Sequence, residues 1–140
     1  VLITFEQKIN DKHADVEAAL PEDCLMVWAD EDAITQVIYN LMDNAVKFCP
    51  PGGRLWVLVR HEGGKARVTV GNTGPTIPPG ELPLLFDRFH KTDKSRSADR
   101  DGYGLGLYIV KTILDGHGED IFVTSQDGRT EFSFTLPVKK

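Results

Sequence analysis

Between Asp30 and the breaker run Pro50-Pro51-Gly52-Gly53, the residues Ile34, Val37, Ile38, Leu41, Ala45 and Phe48 fall at i, i+3, i+4, i+7, i+11 and i+14. That spacing predicts one long helix with a single apolar stripe, which must pack against another apolar layer. Asp30 is placed to cap it, and Glu31 and Asp32 fall in the first turn, where the helix dipole favours acids. The prolines end it at about Phe48. A second stripe holds Gln36, Asn40, Asn44 and Lys47. At about 100° per residue, Asn40, Asn44 and Lys47 lie within roughly 60° of one another. Two carboxamides and an ammonium could supply oxygen ligands to a hard cation and a point charge to phosphate. A solvated polar face has the same pattern, so the helix alone does not choose.

The layer that this helix packs on is read from strand signals. Leu2 to Ile9 alternate (Ile3, Phe5, Gln7, Ile9) and read as a strand; Val16–Leu20 and Leu25–Ala29 are short candidates separated by Pro21-Glu22-Asp23. Arg54–Glu62 and Lys65–Gly71 form a hairpin across Gly63-Gly64, and Ile121–Gln126 and Thr130–Leu136 form another around Asp127-Gly128. Asn72 to Gly80 reads as a loop, Glu81–Phe89 as a short helix, and Leu105–Asp115 as a helix ending at Gly116 and Gly118. His90 to Gly102 is polar and aperiodic, the pattern of a mobile segment. Strands and helices without regular βαβ alternation predict an α+β sandwich, one mixed sheet with helices on one face.

Composition bounds the function. At 140 residues, 41% hydrophobic and 26% charged, the chain fits one soluble globular domain. No run approaches the roughly 18–20 apolar residues of a spanning helix. Val1–Phe5 lacks the basic start of a signal peptide, and the missing initiator Met suggests a piece of a longer protein. The net charge is −5 with scattered Lys and Arg, so no face tracks nucleic-acid phosphates. Cys24 and Cys49 have no metal-ligand spacing and read as free thiols in a reducing compartment.

Two glycine segments remain. Asn72-Thr73-Gly74-Pro75-Thr76-Ile77-Pro78 follows an apolar strand, and its glycine lets the backbone approach a flat ligand, although a plain turn reads the same way. Gly102-Tyr103-Gly104-Leu105-Gly106-Leu107 runs into a helix, where free backbone N–H groups suit phosphate. It is neither a P-loop nor a dinucleotide fingerprint, and a flexible hinge would look alike.

Taken in order, these segments resemble the gyrase/chaperone/histidine-kinase/mismatch-repair ATPase superfamily. Asn40-Leu41-Met42-Asp43-Asn44-Ala45-Val46-Lys47-Phe48 is similar to the kinase N box, N-x-x-x-N-A-x-K-F/Y. Asn72–Pro78 resembles the first glycine box, Phe86-Asp87-Arg88-Phe89 the F box, and Gly102–Leu107 the second glycine box. Thr92–Ser97 resembles the lid, and Gly128–Pro137 the closing strand. The resemblance spans about Asp30 to Pro137. It implies a single catalytic ATP-binding domain of a sensor histidine kinase with the Bergerat-type fold, a two-layer sandwich of about five mostly antiparallel strands on three helices.

The resemblance also implies roles. Asn44 would ligand Mg²⁺ with Asn40 beside it, Lys47 would contact phosphate, and Phe48 would wall the adenine. Asn72 would accept a hydrogen bond from the adenine amino group, with Gly74 and Ile77 lining the base pocket and Thr130 and Phe132 behind it. Gly102, Tyr103, Gly104, Leu105, Gly106 and Leu107 would hold the phosphates under a lid of residues 90 to 102. The implied activity is transfer of the γ-phosphoryl group of Mg-ATP to a histidine on a separate dimerisation domain, for relay to a response-regulator aspartate. Implied partners are therefore that domain and a response regulator, with no nucleic acid and no direct membrane contact. The isolated domain would be a monomer, in the cytoplasm, within a protein anchored in the plasma membrane.

Asn40 discriminates within the superfamily, whose hydrolytic members resemble one another in carrying Glu there; an amide is no general base at neutral pH. Three departures stand out: Asn72 replaces the usual Asp, Thr76 the box's second glycine, and Lys91 a common Arg. They predict weaker nucleotide binding than is usual for the family. His13, His61, His90 and His117 all lack the setting of a phosphoacceptor. The alternatives are a degenerate ATP-sensing module without phosphotransfer, and a hydrolytic ATPase, which Asn40 disfavours.

Overall fold

Two left-handed residues, Gly63 (φ 53°) and Gly64 (φ 82°), reverse the chain between β2 (Arg54–Glu62) and β3 (Lys65–Thr73). A two-residue hairpin of this kind matches the twist of its flanking strands. The computed structural model describes residues 6–19, 27, 29–86 and 104–138. Ahead of the hairpin come α1 (Glu6–Asp11), β1 (Asp15–Ala19) and α2 (Glu31–Phe48). After it come a 3₁₀ turn (Leu82–Leu84), α3 (Gly104–Gly116), β4 (Ile121–Gln126) and β5 (Arg129–Pro137). The sheet order is β1-β2-β3-β5-β4. Only β1–β2 is parallel; the other pairs are antiparallel. The expected α+β architecture is the one observed.

The strands alternate, and one phase faces the helices. Leu55, Val68, Val70, Phe132, Phe134 and Leu136 meet Val37, Leu41 and Ala45 of α2 and Val110 and Leu114 of α3 in one core. Phe134, Leu41, Val37, Val110 and Leu114 have no measurable exposure. Asp30 caps α2 as the sequence predicts, its carboxylate accepting from the Ala33 N–H at 3.0 Å. No helix among the described residues is long and apolar enough to cross a membrane.

Several expectations need correction. The alternation of Leu2 to Ile9 predicted a strand, but residues 6–11 are helical and Ile9 joins the core. Phe5 and Ile9 are also four apart, so a short alternating run fits a helical turn equally well. Asn72 and Thr73 belong to β3, not to a loop, because Leu55 and Thr130 on the neighbouring strands still pair with Asn72. Of the helix expected at Glu81–Phe89, the described part is the single 3₁₀ turn, with Pro83 inside it. Of the strand expected at Leu25–Ala29, Val27 bridges to Val138, and most of the rest lies outside the described residues. The expectations for residues 87–103, including Lys91, His90 and the lid, also lie outside them.

The outer face carries one tight feature. The Trp56 indole lies on Gly71, where an added Cβ would come within 2.2 Å of the ring. Its N–H donates to Glu131 at 2.7 Å, and the Arg129 guanidinium lies 4.6 Å from the ring centroid. Gly71→Ala is expected to displace the indole and cost about 1–3 kcal/mol, read by urea denaturation and the Trp56 indole N–H resonance. Unchanged stability with an unshifted resonance would contradict this packing.

Candidate functional site

The inner face of the sheet turns polar at one end. Asn72, Thr130 and Ser125 sit side by side there on β3, β5 and β4, paired in register. Asn72 is 3% and Thr130 6% exposed, so both side chains need partners from the protein or a ligand. The Thr130 and Ser125 hydroxyls lie 2.8 Å apart, and Ser125 Oγ accepts the Ile77 N–H at 2.7 Å. Asn72 Nδ2 donates to the Thr73 carbonyl at 2.9 Å. That bond orients the carboxamide and leaves Oδ1 as a buried acceptor, with no hydrogen bond to it among the described residues.

Helix α2 ends against this polar row. An added Cβ on Gly74 would lie 2.8 Å from the Phe48 carbonyl oxygen and 3.3 Å from Asn72 Nδ2. The Gly74 N–H donates to the Gly128 carbonyl at 2.9 Å. Only a residue without a side chain lets the helix end come so close. Thr76, which stands where the resemblance expects glycine, accepts the Gly128 N–H at 2.8 Å and ties the same loop to the β4–β5 turn.

Up the helix, Asn44 is 7% exposed and Asn40 is half-buried. Asn40 Oδ1 accepts from Gln36 at 3.0 Å, and its Nδ2 donates to the Gly106 carbonyl at 3.4 Å, so the first turn of α3 lies beside the carboxamide face. Gly104 to Leu107 form that turn, at a helix start, where the first N–H groups have no carbonyl partner within the helix. Leu107 itself is 7% exposed within the core, so its backbone is what it can offer a ligand. Gly102 and Tyr103 lie outside the described residues. Lys47 is exposed at the helix end and pairs with Asp43 at 3.3 Å. Phe132 meets Phe86, the first residue of the F-box segment, edge to face at 6.0 Å. Among the described residues no group of three or more His, Cys, Asp or Glu could hold a metal.

The sequence reading missed three contributors. Ser125 shares the phase of Ile121 and Val123, and a serine on an inward phase was the available signal. His117 Nε2 accepts the Asp30 N–H at 3.2 Å while Nδ1 lies 2.8 Å from the Ile113 carbonyl, so the imidazole joins the start of α2 to the end of α3. The third is Lys12, whose ammonium reaches carbonyls at the end of α2. Close by, burial raises the Cys49 thiol above its ordinary range, partly offset by the Thr73 hydroxyl and the Lys12 charge.

The sequence model of the family described as histidine kinase-, DNA gyrase B-, and HSP90-like ATPases matches residues 29–140. The chain is 38% identical over 143 residues to the sensor histidine kinase WalK of Bacillus subtilis, covering all of this chain and 23% of WalK. It is 33% identical over 140 residues to the adaptive-response sensory kinase SasA of Synechococcus elongatus, covering 99% of this chain and 36% of SasA. The chain thus spans roughly a quarter to a third of these curated relatives. The nucleotide-free catalytic domain of the histidine kinase ThkA superposes with a TM-score of 0.85 at 30% identity, over 96% of this chain and 86% of that one. ThkA in complex with the response regulator protein TrrA gives 0.82 at 30% identity, over 98% of this chain and 38% of that one.

The close approach at Gly74 predicts that Gly74→Ala costs about 1–3 kcal/mol, because the clash is with backbone. Gly80→Ala, where a Cβ meets open space, should change stability by less than about 0.5 kcal/mol. Equal effects in chemical denaturation would contradict the assignment.

Proposed function

The chain belongs to the histidine kinase-, DNA gyrase B-, and HSP90-like ATPase family, and within it we propose that this domain holds Mg-ATP between α2, the polar end of the sheet and the start of α3, and passes the γ-phosphoryl group to a protein histidine. The observation that carries the reading is the buried, oriented Asn72 Oδ1, an acceptor matched to an exocyclic amino group. Thr130 and Ser125 continue that edge, Gly74 and Ile77 line it, and Phe48 closes the pocket from the helix. Asn72 in place of an acid weakens the hydrogen bond by removing a charge; the bond to Thr73 limits the loss by fixing the amide.

The phosphates run from this pocket toward the start of α3, where the helix dipole favours negative charge. Asn44 and Asn40 would hold a magnesium ion through their carboxamide oxygens, a donor type that suits a hard cation. When bound, that ion neutralises charge on the transferred group. Lys47 adds a point charge that it shares with Asp43. Asn40, engaged with Gln36 and Gly106, offers no base to activate water. ATP therefore waits for an acceptor: the histidine nitrogen attacks in line, the bond from γ-phosphorus to the bridging oxygen breaks, and ADP leaves.

Among the described residues no histidine is set as that acceptor, which we place elsewhere in a longer protein. His13 is in a left-handed turn (φ 52°), His61 is near the end of β2, and His117 is tied between the helices. We place the acceptor on a separate dimerisation domain, with onward transfer to a response-regulator aspartate, and this chain as its single, monomeric catalytic domain. Its need for ATP suits the cytoplasm, and the longer protein is anchored in the plasma membrane. Nucleic acid is no partner for a chain of net charge −5.

Labelled ATP, mixed with this domain and the dimerisation fragment of the same protein, is expected to label that fragment's histidine. Binding without transfer would leave a sensing module, and rapid release of free phosphate would indicate a hydrolase. Asn44→Ala is expected to weaken nucleotide binding in magnesium by about 10- to 100-fold and to remove the sensitivity to chelator; intact binding would refute the assigned ligand.

A further inference from the structure

The carbonyls at the end of a helix have no partner within it and carry the negative end of its dipole. In α2 they are taken by a side chain from outside the helix. Lys12 Nζ donates to the carbonyls of Val46 at 2.6 Å, Lys47 at 3.0 Å and Cys49 at 2.8 Å, which uses all three ammonium protons. The backbone returns the contact: the Gly52 N–H donates to the Lys12 carbonyl at 2.7 Å, and the Asp15 N–H to the Gly53 carbonyl at 2.9 Å. The turn after α1 is thereby fastened to the loop after α2. Partial burial lowers the pKa of Lys12, opposed by the neighbouring Cys49.

The carbonyl within this run that Lys12 leaves is that of Phe48, and it is the one pressed against Gly74. The helix end thus sits between an ammonium on one side and the backbone beside Asn72 on the other. Resting on the nucleotide reading above, we propose that Lys12 is a positioning residue for the base pocket. By holding the carbonyls on either side of Phe48, it sets how closely that residue stands against Gly74 and Asn72, and it couples the chain segment arriving through α1 to nucleotide binding. Lys12 touches no substrate in this account; it acts through the helix end.

The test compares Lys12→Met, which keeps the stem and removes the donors, with Lys12→Arg, which restores donors and charge. For the 140-residue chain, the dissociation constant of a non-hydrolysable Mg-ATP analogue is measured well below each variant's thermal midpoint. Lys12→Met is expected to weaken binding roughly tenfold, and Lys12→Arg to recover to within about threefold of the parent. A lower midpoint with unchanged affinity would mean that the clamp serves stability alone and would overturn the proposal. Linkage requires the converse, so hydrogen exchange on the unsubstituted chain decides the matter even if Lys12→Met does not fold. Saturating nucleotide should slow exchange at the Gly52 and Asp15 amides. Protection at Gly74 and Asn72 without protection at Gly52 and Asp15 would overturn it. If the unsubstituted chain binds no nucleotide, the nucleotide reading fails first, and this inference with it.

Discussion

The apolar stripe of α2, once seated on the sheet, leaves its polar stripe little freedom. Val37, Leu41 and Ala45 are buried against strands whose inward residues include Val70 and Phe134. With that face fixed, Asn40 and Asn44, one turn apart, must rise along the edge where α3 begins. The contact of Asn40 with the Gly106 carbonyl is where the two meet. Helix packing therefore decides the site before any polar contact is made.

The sheet contributes by failing to stay apolar. Its inward phase is hydrophobic from Leu136 to Phe132 and then changes to Thr130, with Asn72 and Ser125 alongside. Burying such a row is costly unless its groups are paired. Thr130 and Ser125 pair with each other, Asn72 Nδ2 is satisfied locally, and Asn72 Oδ1 is kept as an acceptor. The cost of a buried acceptor is offset when a ligand donates to it. The Thr76 hydroxyl and the Gly74 backbone hold the adjoining loop to the same hairpin turn.

Much of this was legible in the sequence because it depends on period and punctuation. The bounds of α2 followed from Asp30, the stripe and the double proline; both hairpins followed from alternation around glycine turns. The N box and the first glycine box single out Asn40, Asn44, Asn72 and Gly74 as candidates, two of them on α2, one at the end of β3 and one just beyond it. What escaped depends on pairings distant in sequence. No local pattern says that Lys12 reaches carbonyls 34 to 37 residues away, or that His117 meets Asp30 across 87. The alternation that misassigned residues 6–9 was too short to separate the two periods. The reach of β3 to Thr73 depended on its neighbours' length, which a strand's own sequence does not carry.

On the proposed function, one ligand, Mg-ATP, spans the α2 carboxamides, the polar sheet end and the start of α3. Titrating the isotope-labelled chain with a non-hydrolysable Mg-ATP analogue and following backbone and carboxamide resonances tests it directly. Shifts are expected at Asn40, Asn44, Phe48, Asn72, Gly74, Gly106 and Thr130, with Arg60 and Arg67 on the outer face unmoved. Binding that perturbs the outer face and leaves the Asn72 carboxamide unshifted would contradict it.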